Sequence, residues 1–137
     1  MLPILPVGHV DLAQTFCAIA GIAPPVWVEG QPLPVSDDNA RAQRRERVLT
    51  EWDSEHGPID LHIRTICRDG YLCSRYAKGS LYDGTEGKLY HLTEDPAVLV
   101  NLWDDARRGA LRLDLVADLY DHLAPHCAPR LTRGAPV

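Results

Sequence analysis

The stretch IDLHIRTICRDGYLCSRYA, residues 59–77, decides the fold of this chain. Its two halves, residues 59–67 and 71–77, carry the alternation of apolar and polar side chains that is typical of strands. Between them stands Asp69-Gly70, the preferred residue pair for a two-residue type I′ turn. We therefore predict an antiparallel hairpin that turns at this pair.

Two further strands are predicted, one on each side of the hairpin. The segment RVLTEWD, residues 47–53, alternates in the same way. Residues 78–87 contain three glycines and read as a loop, after which residues 88–92 are predicted to form a short strand. Three or four antiparallel strands result.

A helix is predicted on each side of these strands. In HVDLAQTFCAIAGI, Asp11 is the expected N-cap and Gly21 the expected left-handed stop. Residues 105–123 are predicted to be helical, with Asp104 or Asp105 as cap and an apolar stripe that covers one face of the sheet. The stripe consists of Leu111, Leu115, Leu119, Val116, Tyr120 and Leu123.

The segment 22–39 holds four prolines, so it is predicted to be an extended connection rather than a helix or a central strand. The predicted fold class is α+β. It consists of a small antiparallel sheet of three or four strands packed by a C-terminal helix, with an N-terminal helix and a long Pro-rich connection.

Composition excludes two classes of partner. The net charge is -5, from 19 acidic and 14 basic residues, and a nucleic-acid-binding surface usually has a stronger cationic patch. No stretch approaches the roughly 20 apolar residues of a membrane helix, and no export signal is visible. The four cysteines form no CxxC pair, and a cytoplasmic protein with no nucleic-acid or membrane partner is expected.

The densest polar cluster is EWDSEHGPIDLH, residues 51–62, which is predicted to be the end of a strand and the loop after it. Carboxylates and imidazoles this close in sequence are the groups that bind a divalent cation or act as an acid/base pair. The alternative is that a strand end and a loop are simply polar. Elsewhere the sequence contains no nucleophile elbow, phosphate loop or dinucleotide-binding motif.

Four segments, in order along the chain, resemble the C-terminal portion of the formylglycine-dependent sulfatases of the alkaline phosphatase superfamily. They are GHVDLAQTFCAIAGI with EGQPL downstream, RVLTEW, IRTICRDGYL, and KLYHLTEDPAVLVNLWDD at residues 88–105. The last segment follows the closing pattern of that family, ELYDLxxDPxExxNL. The resemblance implies a parent activity of sulfuric ester hydrolysis.

In that family the nucleophile is a formylglycine made from a cysteine in Cys-x-Pro-Ser-Arg, and a calcium ion assists it. Both belong to the large N-terminal catalytic domain, which the resemblance places outside this chain. None of the four cysteines here stands in that motif. The resemblance therefore transfers no catalytic residue and no metal ligand, and the chain alone is expected to be inactive.

The resemblance also predicts how the chain is divided. Residues 1–44 would form an N-terminal helix and connection at the edge of the large domain, residues 45–124 a C-terminal subdomain, and residues 125–137 a tail. The polar stretch would lie at the rim of the parent enzyme's substrate pocket. The candidate residues for that rim are Asp53, His56, Asp60 and His62.

The N-terminal helix packs onto the large domain in the family, so its apolar residues Leu12, Phe16 and Ile19 are expected to be uncovered in this chain. Exposed apolar patches promote association, and we expect this helix to mediate self-association.

Two other hypotheses remain open from the sequence. One is a free-standing binding or regulatory module that uses the polar stretch 51–62. The other is a small metal-dependent hydrolase that uses His56, His62 and the neighbouring carboxylates.

Overall fold

The structure is a computed structural model that describes residues 6–34, 36, 38 and 45–123. The predicted tail lies outside these residues, and the predicted boundaries between the three parts of the chain stay a prediction. The elements in chain order are helix α1 (Val10–Ala20), strands β1 (Arg47–His56), β2 (Ile59–Arg68), β3 (Tyr71–Tyr76) and β4 (Gly87–His91), a 3-10 turn (Ala106–Arg108) and helix α2 (Gly109–His122).

The four strands form one open antiparallel sheet in the order β1-β2-β3-β4. The predicted turn between β2 and β3 is confirmed, because Asp69 and Gly70 have φ angles of 54° and 76°. Both angles are positive, as a type I′ turn requires. With one helix on the sheet and one outside it, the predicted α+β class is confirmed.

The loop predicted within the polar stretch, after the strand end at Asp53, is shorter than predicted. Strand β1 continues to His56 and β2 begins at Ile59, so the turn consists of Gly57 and Pro58 alone. Gly57 has a φ of 56°, a conformation that glycine adopts without strain. Polar composition was the misleading signal, since the polar residues Ser54, Glu55 and His56 continue strand β1.

The core lies between the sheet and α2. Ile66, Cys73 and Leu89 are aligned side by side across β2, β3 and β4, and all three are fully buried. Leu115 and Leu119 of α2 pack onto this row and are also fully buried, and Leu111, Val116 and Leu123 pack against it. Tyr120 is the one predicted member of the apolar stripe that does not, since it is 46% exposed. Fully burying a leucine side chain is worth about 1.5–3 kcal/mol.

Ion pairs hold α2 to the sheet in addition to the core. The carboxylate of Asp118, a buried residue of α2, accepts from Nε of Arg47 at 3.1 Å and from the guanidinium of Arg68. Burial alone would raise the pKa of Asp118, but the two guanidinium groups outweigh it and lower the pKa. The side chain therefore stays ionised, and it joins two strands to one helix.

The closing segment after β4 is fixed by a single amide side chain. Oδ1 of Asn101 accepts from the backbone N–H of Leu89 at 3.0 Å and of Trp103 at 3.1 Å, and the N–H of Leu102 donates to the carbonyl of Leu89 at 2.7 Å. These bonds cover part of the outer edge of β4. They also position the Trp103 ring under the sheet, where it joins the core.

Helix α2 begins later than predicted. A 3-10 turn intervenes, and α2 itself starts at Gly109. Asp105 is nevertheless a cap, because its Oδ1 accepts from the backbone N–H of Arg107 at 2.9 Å. The cap therefore stabilises the 3-10 turn that leads into the helix.

Helix α1 begins at Val10 with His9 as its N-cap, so the predicted N-cap at Asp11 is wrong. The helix ends as predicted, with Gly21 as its C-cap at a φ of 67°. Asp11 lies in the first turn, where it is buried, and accepts from the backbone N–H of Gly8 at 2.8 Å. It also accepts from the N–H of Gln31 at 3.0 Å and from the guanidinium of Arg45. One carboxylate thus joins the helix, the Pro-rich connection and the segment that enters β1.

Candidate functional site

The polar stretch builds a cluster of charged side chains at one end of the sheet. Side chains alternate between the two faces along a strand, and Asp53 pairs directly with His62 across β1 and β2. Asp60 and Arg64 lie two residues before and after His62, so all four side chains share a face. We call these four residues the hairpin polar cluster. They lie on the face that α2 covers further along the sheet.

His62 is held between two carboxylates. Its Nδ1 lies 2.7 Å from Oδ1 of Asp53, and its Nε2 lies 2.8 Å from Oδ1 of Asp60. The hydrogen bond with Asp53 raises the pKa of His62, burial opposes this, and Asp60 adds to the rise. Both ring nitrogens face acceptors, and the imidazole is therefore stabilised in its doubly protonated form.

Arg64 completes the cluster, and sequence reasoning missed it. Its NH1 lies 2.8 Å from Oδ1 and its NH2 3.2 Å from Oδ2 of Asp53, a bidentate pair. The available signal was its spacing: Arg64 stands two residues after His62 in the same predicted strand and therefore shares its face. Two cations thus share the carboxylate of Asp53.

A loop fastens the start of β2 to the rest of the sheet. Ser80 Oγ lies 2.6 Å from the backbone N–H of Asp60, and the N–H of Ser80 donates to the carbonyl of Asp60 at 3.1 Å. A Cβ at Gly79 would lie 2.4 Å from that carbonyl oxygen, so only glycine fits there. The N–H of Ala77 donates to the carbonyl of His62 at 2.9 Å. The backbone beneath the cluster is therefore fixed.

His56 does not belong to the hairpin polar cluster. It pairs with Ile59 at the turn, lies on the opposite face of the sheet from Asp53 and His62, and is exposed. The structure thus brings together Asp53, Asp60 and His62 and separates His56 from them. Contact between a substrate and any of the four predicted rim residues, which are Asp53, His56, Asp60 and His62, stays a prediction.

The geometry of the cluster favours proton retention over proton transfer. A general base must offer a free lone pair near the operating pH, and both nitrogens of His62 already face carboxylates. Over residues 6–34, 36, 38 and 45–123, no group of three or more His, Cys, Asp and Glu side chains is arranged to hold a metal ion. A metal-dependent hydrolase that uses His56 together with His62 would need both on one face, and they lie on opposite faces.

The described cysteines do not fit a formylglycine precursor. Cys73 is fully buried in the core, and burial raises the pKa of its thiol to about 11. Cys67 lies on β2, where burial also raises its thiol pKa, and Cys17 lies within α1. Burial of this kind makes the thiols of Cys67 and Cys73 unreactive. None of the three cysteines stands in the Cys-x-Pro-Ser-Arg motif, and no catalytic step is assigned to them.

The apolar residues of α1 are exposed, as the sequence led us to expect. The exposed fractions are 39% for Leu12, 64% for Phe16 and 77% for Ile19. Self-association through them remains a proposal. Among the residues that the structure describes, no helix is long and apolar enough to cross a membrane.

No protein-family model and no curated protein matches this chain. Solved structures do match it. A protein assigned as a sulfatase from Bacteroides thetaiotaomicron is 26% identical with a TM-score of 0.59, and a 2-O GAG sulfatase is 27% identical with a TM-score of 0.59. Each match covers 81% of this chain and 23% of the other chain.

A third structure, of a protein bound to its substrate D-glucosamine-2-N,6-O-disulfate, is 20% identical with a TM-score of 0.59. That match covers 81% of this chain and 22% of the other, and at this identity it supports the fold alone. The described elements thus define a small α+β unit of one sheet and a packing helix. This unit resembles a portion of the sulfatases, and the predicted resemblance to their C-terminal portion is confirmed.

Proposed function

We propose that this chain acts as the C-terminal part of a sulfatase-type hydrolase and has no hydrolytic activity by itself. The observation that carries the proposal is the match over 81% of this chain to sulfatases of which it spans 23%. The chain thus corresponds to about a quarter of those proteins. Their chemistry requires residues beyond the matched part, and the parent activity in this proposal is hydrolysis of a sulfuric ester.

The chemistry of the described residues supports this proposal. His62, the histidine with the most carboxylate partners, holds its proton between Asp53 and Asp60. Cys73 is buried in the core and unreactive. In this proposal formylglycine and calcium belong to the large domain, as the resemblance implies.

The hairpin polar cluster has a supporting role in this proposal. Asp53, Asp60 and His62 lie at the rim of the substrate pocket of the complete enzyme, and they fix the end of the hairpin there. His56, on the other face, would contact the substrate only from a different side of the hairpin. His56 and His62 lie on opposite faces, so they should not both contact the substrate. In a full-length relative, replacing one of them should therefore leave KM for the sulfate ester unchanged.

We also place the protein in the cytoplasm as part of this proposal. The three described cysteines, Cys17, Cys67 and Cys73, are free thiols. Free thiols are typical of reducing compartments, whereas small secreted domains are usually rich in disulfides.

The proposal is tested by hydrolysis assays on the purified chain. Aryl sulfate and aryl phosphate substrates are incubated with the chain, with and without added calcium, manganese or zinc. We expect no turnover above buffer under any of these conditions. A His62→Ala variant and a matched His91→Ala variant, which changes a histidine outside the cluster, are assayed in parallel.

Metal-dependent turnover that His62→Ala abolishes and His91→Ala preserves would contradict the proposal. It would show that the cluster is an active site of the chain itself. Turnover that both variants retain would also contradict it and would locate the activity elsewhere in the chain.

A further inference from the structure

The two faces of the sheet differ in charge in an unusual way. Every aspartate, glutamate and arginine of the four strands lies on the face that α2 packs against. The opposite face, which we call the open face, carries only two basic side chains, Lys88 and His56. The open face is otherwise made of apolar, aromatic and small hydroxyl side chains.

Apolar side chains run across all four strands of the open face. They include Val48, Trp52, Leu61, Ile63, Leu72 and Tyr90. Each is at least partly exposed, and Trp52 is 61% exposed. An antiparallel sheet with one packed face normally presents polar residues to water on the other, and this sheet does the reverse.

No helix of the described residues lies along the open face. Helix α2 packs on the opposite face, against β2 and β3, and α1 does not pack extensively against any strand. A loop covers one corner, where Tyr82 packs against Tyr76 with ring centroids 4.4 Å apart and the rings tilted by 33°. The approach to α1 reaches another corner, since a Cβ at Gly8 would lie 3.0 Å from Val48. The middle of the face, around Ile63, is left for a partner.

We infer that the open face is an interface at which a second copy of this chain packs. A twofold interface brings the same patch of both copies together, so a patch with many like charges would repel itself. The open face avoids this, because its two basic residues lie at its margins, on the edge strands β1 and β4. The acidic residues that give the chain its net charge of -5 are absent from it.

The size of the face supports the same partner. Four strands about 4.8 Å apart, with an average length of roughly 25 Å, give a face of about 500 Å² in projection. Two such faces packed together would bury about 1,000 Å² in total, which is the lower end of the range for specific interfaces.

The test is the oligomeric state of the full chain by sedimentation equilibrium. We expect a reversible dimer, and the experiment measures its Kd. The double variant Trp52→Thr/Ile63→Thr keeps strand propensity and makes the face polar, and it should raise Kd by about tenfold or more. Leu113→Gln, which changes a 66% exposed leucine on α2, is the control and should leave Kd unchanged. Circular dichroism verifies that each variant folds.

Several results would overturn the inference. A wild-type chain that stays monomeric at about 100 µM has no such interface. A Leu113→Gln effect as large as that of the double variant would mean unspecific association. If Phe16→Gln dissociates the dimer and the double variant does not, α1 alone is the interface. A monomer that instead binds a separately expressed sulfatase catalytic domain would assign the face to that domain.

Discussion

The carboxylate of Asp11 offers a sharp test of how the N-terminal part of the fold is held together. Asp11 is 1% exposed, and burial by itself would raise its pKa. Hydrogen bonds from Arg45, Gly8 and Gln31 outweigh burial and lower the pKa to about 2. The change we consider is Asp11→Asn, which keeps the shape of the side chain and removes its charge.

The expected loss follows from linkage between protonation and folding. The pKa of Asp11 falls from 3.8 in the unfolded chain to about 2 in the folded one, and at 1.36 kcal/mol per pH unit this is worth roughly 2 kcal/mol. The stabilisation is fully present above pH 3.8 and is lost as the pH falls through 2. Breaking a fully buried ion pair costs about 3–5 kcal/mol. We expect the smaller loss of roughly 2 kcal/mol here, because the Arg45 side chain is 14% exposed and keeps some contact with water.

The assay is urea denaturation of wild type and Asp11→Asn at a series of pH values, with hydrogen exchange of the α1 amides measured beside it. Hydrogen exchange is needed because α1 can detach locally without unfolding the sheet. The two proteins should differ by roughly 2 kcal/mol at neutral pH and converge near pH 2. Asp121→Asn, at an exposed position of α2, is the control. A difference that does not change with pH would refute the reasoning.

Three further predictions concern the core and the cluster. Leu119→Ala should lower the free energy of unfolding by about 2–5 kcal/mol in urea denaturation. Gly87→Ala would place a Cβ 2.4 Å from the Trp103 ring and should cost about 1–3 kcal/mol, whereas Gly109→Ala meets no atom within 4 Å and should not destabilise. Protonated His62 should stabilise the folded state fully below pH 6.5, and this contribution should be lost as the pH rises through the raised pKa of His62. NMR titration of the imidazole measures that pKa.

The parts of the fold that follow from neighbouring residues were predictable. Asp69-Gly70 prefers a turn with two positive φ angles, and Gly21 accepts the left-handed conformation that ends a helix, whatever the rest of the chain does. The repeat of Leu115 and Leu119 likewise indicates a helix face that must be buried. Local conformational preference is enough to specify each of these features.

The hairpin polar cluster was only partly predictable. The sequence placed Asp53, Asp60 and His62 among the candidates, because carboxylates and imidazoles stood close together. It did not separate His56 from them, because His56 was assigned to the loop, and a residue in a loop has no sheet face to assign. It did not add Arg64, because the register that pairs Asp53 with His62 was not assigned from the sequence.

The sequence by itself determined the β2–β3 hairpin, the left-handed end of α1 at Gly21 and most of the apolar stripe, since each depends on side chains within a few positions of one another. Only the tertiary structure decided that Asp11 meets Arg45, 34 positions away, and that Asp53 meets His62 across a strand pair. Only the register showed that the charged side chains of the sheet share one face. The physical reason is that contacts between distant residues are selected by packing of the whole chain, which no local preference encodes.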